Sequence, residues 1–66
     1  MTLIINGESH DFQQDLTVPT LLERLGLQGK PVVIEHNETA LSPSDFAGCP
    51  LADGDRLEII TIAAGG

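Results

Sequence analysis

Residues 2–6 open the chain with an apolar run, Leu3-Ile4-Ile5, closed by Asn6-Gly7. Asn and Gly both tolerate positive φ, so this dipeptide predicts a two-residue hairpin turn with residues 9–12 as the return strand and Phe12 turned inward. The period then changes. Val18, Leu21, Leu22 and Leu25 fall at i, i+3, i+4 and i+7, one apolar stripe of a short helix. Thr17 is placed to cap its start and Gly26 to end it as the first residue past the cap. Pro19 is tolerated in the first turn, where its missing N–H would have no intrahelical acceptor. Leu16 and Leu21 have the spacing of a hydrophobic staple, and Leu27 can fold back on Leu22.

Beyond Gly29-Lys30-Pro31, the run Val32-Val33-Ile34-Glu35-His36 reads as a strand, Asn37-Glu38 as a turn and residues 39–42 as a short return strand. Residues 42–46 carry a capping serine, a proline and an aromatic, which fits one 3₁₀ or α turn. Residues 50–55 read as irregular, ending in the turn signal Asp53-Gly54-Asp55. Residues 56–62 alternate, with Leu57 and Ile59 on one face and Glu58, Ile60 and Ile62 on the other. The last strand is the natural parallel partner of the first at the sheet centre, because such strands lean toward continuous apolar sequence. A right-handed crossover then lays the helix on one face. The expected architecture is α+β: a β-grasp with a mixed sheet of about five strands, one helix packed on one face and a short 3₁₀ turn. Residues 1–62 form one domain, and 63–66 are expected to be a flexible tail.

Composition narrows the function. Ten acidic residues against three basic ones leave a formal charge of −7, and Phe12 and Phe46 are the only aromatics. Nucleic-acid binding needs clustered cations and usually stacking aromatics, so it is disfavoured, as is an anionic membrane surface. The single Cys49 can form no internal disulfide, which points to a reducing cytoplasm. The first residues lack a basic stretch and a long apolar run, so no signal peptide is expected.

An enzyme is not expected. His10 and His36 lie on different hairpins without ligand-spaced partners and read as solvated surface histidines; no metal site is expected. Ser9, Ser42 and Ser44 lack a nucleophile-elbow context, and Asp53 and Asp55 read as turn residues. Cys49 reads as a free, partly shielded thiol without a basic neighbour in sequence. The feature that packing leaves unexplained is Ala63-Ala64-Gly65-Gly66. Four extended residues reach about 14 Å, and small side chains make a thread narrow enough to enter a channel in another protein.

Taken in order, the Asn6-Gly7 turn, the Thr17-Val18 helix start with Leu21-Leu22, the Asn37-Glu38 turn, Leu51-Ala52-Asp53-Gly54-Asp55-Arg56 and the final Gly65-Gly66 resemble the ThiS family, ubiquitin-like sulfur carriers of thiamine biosynthesis. The resemblance runs nearly end to end. Pro19-Thr20 in the first helical turn and Cys49 depart from the family pattern. It implies that Gly66 is the modified residue, with Ala63, Ala64 and Gly65 threading the partner's channel. An E1-like, ThiF-like adenylyltransferase would use ATP and Mg²⁺ to convert the terminal carboxylate to an acyl-adenylate. Sulfur from a cysteine desulfurase system would displace AMP to give a thiocarboxylate, which a ThiG-like thiazole synthase would consume. The carrier is then a monomeric cosubstrate with no bound cofactor.

Docking is expected on the sheet face away from the helix, with Ile4, Ile60 and Ile62 side by side and leading to the tail. Two other readings share the fold. A molybdopterin-synthase small subunit carries sulfur in the same way but is typically longer. A ubiquitin-like modifier or binding module would resemble ubiquitin, whose tail carries arginines where this chain has Ala63-Ala64. A β-grasp [2Fe–2S] ferredoxin is excluded by the single cysteine.

Overall fold

Two asparagine turns set the strand pairings of the computed structural model, which describes residues 1–62. Asn6 and Gly7 have φ of 50° and 83°, Asn37 and Glu38 of 49° and 71°, the left-handed pairs that suit right-twisted hairpins. The first turn joins β1 (Thr2–Ile5) to β2 (Glu8–Asp11), and the second joins β3 (Val32–His36) to β4 (Thr39–Leu41). Between the hairpins lies the helix α1 (Val18–Arg24); after them come a 3₁₀ turn (Pro43–Asp45) and β5 (Arg56–Thr61). The sheet order is β2-β1-β5-β3-β4. β5 lies at its centre, parallel to β1 and antiparallel to β3. This is the β-grasp that the hydrophobic pattern implies. Strand ends differ from the expected ones by a residue or so: Phe12 falls outside β2, yet its N–H still donates to the Met1 carbonyl at 2.8 Å.

Local chemistry accounts for the helix. The Thr17 hydroxyl accepts from the Thr20 N–H, while Thr20 Oγ1 accepts from the Thr17 N–H at 2.7 Å, a reciprocal cap made by threonine instead of the usual glutamate. At the far end the Leu27 N–H donates to the Leu22 carbonyl at 2.8 Å and the Gly26 N–H to that of Glu23 at 3.1 Å, with Gly26 at φ 74°. That is a Schellman ending. Seven residues of helix are too few to persist on propensity alone, so packing holds them. Leu16, Val18, Leu21 and Leu22 are buried against Leu3, Ile5, Ile34, Leu57 and Ile59 of the sheet. Leu51, in a segment whose sequence shows no period, completes the core. It is held there because its N–H donates to the Leu16 carbonyl at 2.9 Å, while the Val18 N–H donates to Cys49 at 3.1 Å.

The asparagines do more than turn the chain. Asn6 Oδ1 accepts from the Ile59 N–H at 2.8 Å and its Nδ2 donates to the Ile59 carbonyl at 3.1 Å, so one side chain pairs with β5 where the β1 backbone departs. Asn37 does the equivalent at the start of β5: Oδ1 accepts from the Arg56 N–H at 2.9 Å and the Asn37 N–H donates to the Arg56 carbonyl at 2.8 Å. Replacing Asn6 by Gly keeps the turn geometry and removes only the clamp. Asn6→Gly should lower stability by about 1–3 kcal/mol in urea unfolding, the range for stranding partly buried backbone groups. A wild-type midpoint would show the clamp to be idle.

Candidate functional site

The face of the sheet away from α1 is set by alternation. Leu3, Ile5, Ile34, Leu57 and Ile59 point to the core, so Ile4, Val33, Glu35, Glu58 and Ile60 point away from it. Register decides which of these touch. Val33 lies directly opposite Ile60 and Glu35 directly opposite Glu58. Val33 and Ile60 are 45% and 61% exposed, so two large aliphatics stand side by side on this face. Glu35 and Glu58 are like charges in the arrangement that destabilises a strand pair.

The expected row of three isoleucines is corrected by this register. Ile4 is half-buried and pairs with Arg56, four residues up β5 from Ile60, about 13 Å away at the usual rise. Ile62 is 51% exposed but lies beyond the end of β5, where its N–H donates to the Pro31 carbonyl at 3.0 Å. It lines a groove of about 390 Å³ with Leu22, Leu27, Val32, Pro43 and Phe46, on the helix side of the sheet. The strip therefore consists of Val33 and Ile60, with Val33 supplied by a strand that the sequence pattern did not assign to the face. Ala63, Ala64, Gly65 and Gly66 lie outside the described residues.

A second cluster lies at the opposite end of β3, on its core side. His36 is the last residue of β3, Asp55 immediately precedes β5, and Cys49 lies in the loop after the 3₁₀ turn. His36 Nε2–H donates to Asp55 Oδ2 at 2.7 Å, and the side chains are only 19% and 14% exposed. Because a carboxylate can only accept, Nε2 carries a proton, and whenever the ring is neutral Nδ1 is the nitrogen that presents a lone pair. Cys49 Sγ stands 3.7 Å from that Nδ1. Asp55 is itself held: Oδ2 accepts from the Ala52 N–H at 2.9 Å and Oδ1 from Asn37 Nδ2 at 3.2 Å. Burial pushes the Asp55 carboxyl up, but the bonds from His36, Ala52 and Asn37 outweigh it and hold the group below its ordinary range.

The reading of His36 as a solvated histidine is thus overturned. Its neighbours are distant in sequence, 13 residues to Cys49 and 19 to Asp55, and only the β3–β5 pairing brings them together. The Asp53-Gly54-Asp55 turn is observed, with Gly54 at φ 86°, but Asp55 also serves this array and Asp53 Oδ1 accepts from the Thr2 N–H at 2.6 Å. His10 stays at the surface, 3.9 Å from Glu8 and stacked near Phe12.

The model of the ThiS family matches residues 3–66. This chain belongs to the ThiS family. A crystal structure of the thiamine biosynthesis protein ThiS from Geobacter metallireducens superposes with a TM-score of 0.84 at 30% identity, covering all of both chains. The sulfur carrier protein ThiS of Thermus thermophilus is 32% identical over 62 residues, 94% of this chain and 95% of that protein. The thiazole synthase of Paramagnetospirillum magneticum is 39% identical over all 66 residues, which span only 20% of its length. The chain thus corresponds to about a fifth of that relative, and of a second thiazole synthase, from Magnetococcus marinus.

Two measurements test these surfaces. A depressed folded-state pKa at Asp55 means its contribution to stability is present above the unfolded carboxyl value, about 3.9, and is lost as pH falls through the folded value. The stability gap between wild type and Asp55→Asn should therefore be widest near neutral pH and close below about pH 4, as read by thermal unfolding. Ile60→Asp should change stability by less than about 0.5 kcal/mol, whereas Leu57→Asp, which buries a charge in the core, should unfold the domain. Similar unfolding of both variants would reverse the facing assignment.

Proposed function

We propose that this ThiS-family chain carries sulfur on Gly66 for thiazole formation in thiamine biosynthesis. A carboxylate is a poor acyl electrophile at neutral pH. An E1-like adenylyltransferase uses ATP and Mg²⁺ to join the Gly66 carboxylate to AMP, releasing pyrophosphate. The outer sulfur of a persulfide delivered by a cysteine desulfurase system displaces AMP to give an acyl disulfide. A second thiol then cleaves its S–S bond, forming a disulfide with the donor's sulfur, and the released Gly66 thiocarboxylate is the soft nucleophile that a thiazole synthase consumes. Gly65, Ala64 and Ala63 offer no side chain large enough to block a narrow channel. The carrier returns with a carboxylate, which makes it a cosubstrate.

The observation that carries this reading is the alignment of the entire chain with a fifth of two thiazole synthases. Joining a donor to its consumer replaces a bimolecular encounter with an effective concentration in the millimolar range for a short linker. That arrangement is useful only where the two act in succession. On the body, the Val33–Ile60 pair supplies an apolar anchor on the strand that leads to the tail. The facing Glu35 and Glu58 repel each other until a cation neutralises them, so a partner with Lys or Arg at that place gains on binding and associates faster.

The test is a reconstitution with the activating enzyme, ATP and a sulfur source. The intact mass should rise by the difference between one sulfur and one oxygen, on the C-terminal peptide, and deletion of Gly66 should abolish the gain while leaving the fold unchanged. An unmodified Gly66 under conditions that load a known carrier would overturn the reading. In the same assay Ile60→Asp should weaken partner binding about tenfold or more, in line with loss of an interface anchor.

A further inference from the structure

The array Cys49–His36–Asp55 is not used by chemistry at Gly66, and it has the parts of an assisted nucleophile. A thiol stands against the free ring nitrogen of a histidine whose other nitrogen is tied to a held carboxylate. The three groups form a line, not a converging shell, and among the described residues no cluster is placed to hold a metal ion. Cys49 is partly accessible, and Ala47, Gly48 and Pro50 around it are exposed, so small neighbours leave an approach to Sγ.

We propose that Cys49 is a second sulfur-accepting site, which takes a sulfane sulfur from a persulfide donor with His36 as its base and Asp55 as the positioning residue. The choice of a persulfide as donor rests on the sulfur-carrier reading; the assisted thiol does not. Burial, and then the negative charges of Asp55 and Asp45, push the Cys49 thiol above its ordinary value. At rest the group is S–H, and reaction requires a base at the moment of attack. His36 Nδ1 takes the proton as Cys49 Sγ bonds to the outer sulfur of the donor. The donor S–S bond breaks, and its electron pair leaves on the inner sulfur as a thiolate. That thiolate recovers the proton from the imidazolium, which Asp55 stabilises meanwhile. One persulfide and one thiol become one thiol and one persulfide, so no external oxidant or reductant enters.

The single cysteine makes the test clean. Full-length protein is mixed with glutathione persulfide without ATP, and the gain of one sulfur atom is followed by intact mass and located by peptide mapping. The expected result is loading at Cys49, absent in Cys49→Ser, with His36→Gln slower by about tenfold or more. Asp55→Asn should also be slow, and its His36 nitrogen NMR spectrum should show a mixture of ring tautomers where wild type shows Nε2–H. As a control independent of folding defects, native wild type should load faster than the same chain unfolded in urea at equal pH. Equal rates for wild type and His36→Gln, or a native rate no higher than the unfolded one, would overturn the proposal and leave the array a structural tie. Gly66 loading requires ATP and maps to another peptide, so failure here leaves the first reading intact, and the converse holds.

Discussion

The structure depends on the pairing of β5 into the middle of the sheet. β5 comes last in sequence, yet it joins two hairpins that otherwise share no strand contact, and Leu57 and Ile59 on it face the helix from the centre of the core. Parallel pairing with β1 covers only Ile4–Arg56 and Ile5–Leu57, a short ladder for a central junction. The Asn6 side chain extends that ladder by bonding both backbone groups of Ile59, and Asn37 pins the other end at Arg56. The residues that turn each hairpin are thus also those that fasten it to the centre. Turn geometry and sheet assembly are coupled at two positions.

The same central strand organises both chemical surfaces. Its outward residues, Glu58 and Ile60, meet Glu35 and Val33 of β3 and make an apolar pair beside an acidic one. At its start, the polar end of β5 places Asp55 against His36 and so aligns Cys49. The two surfaces lie toward opposite ends of the β3–β5 pair and on opposite faces. The proposed docking at one and the proposed sulfur acceptance at the other therefore use different parts of the small body.

Much of the architecture was legible in the chain because its signals are local. Asn6-Gly7 and Asn37-Glu38 announce hairpins through positive φ, and Thr17, Pro19 and Gly26 bracket a helix through the needs of its unpaired N–H and C=O groups. The inward set Leu3, Ile5, Leu57 and Ile59 follows from strand alternation. The misses share one cause. Leu51 lies in a segment with no period, Val33 reaches the outer strip only through its register with Ile60, and Ile4 is separated from Ile60 by the parallel offset. His36 looked solvated because its partners come from other segments.

What the sequence by itself determined is the order and kind of the elements, their caps and turns, the inward faces of the strands, and, through the end-to-end pattern and Gly65-Gly66, the family. These are properties of neighbours along the chain, where spacing of a few residues fixes which groups share a face. Tertiary structure alone decided which outward side chains stand together and that Cys49, His36 and Asp55 align. The physical reason is register. A strand's own sequence sets which way each side chain points, but which residue of another strand lies opposite depends on long-range pairing, and a small offset exchanges every neighbour on the face.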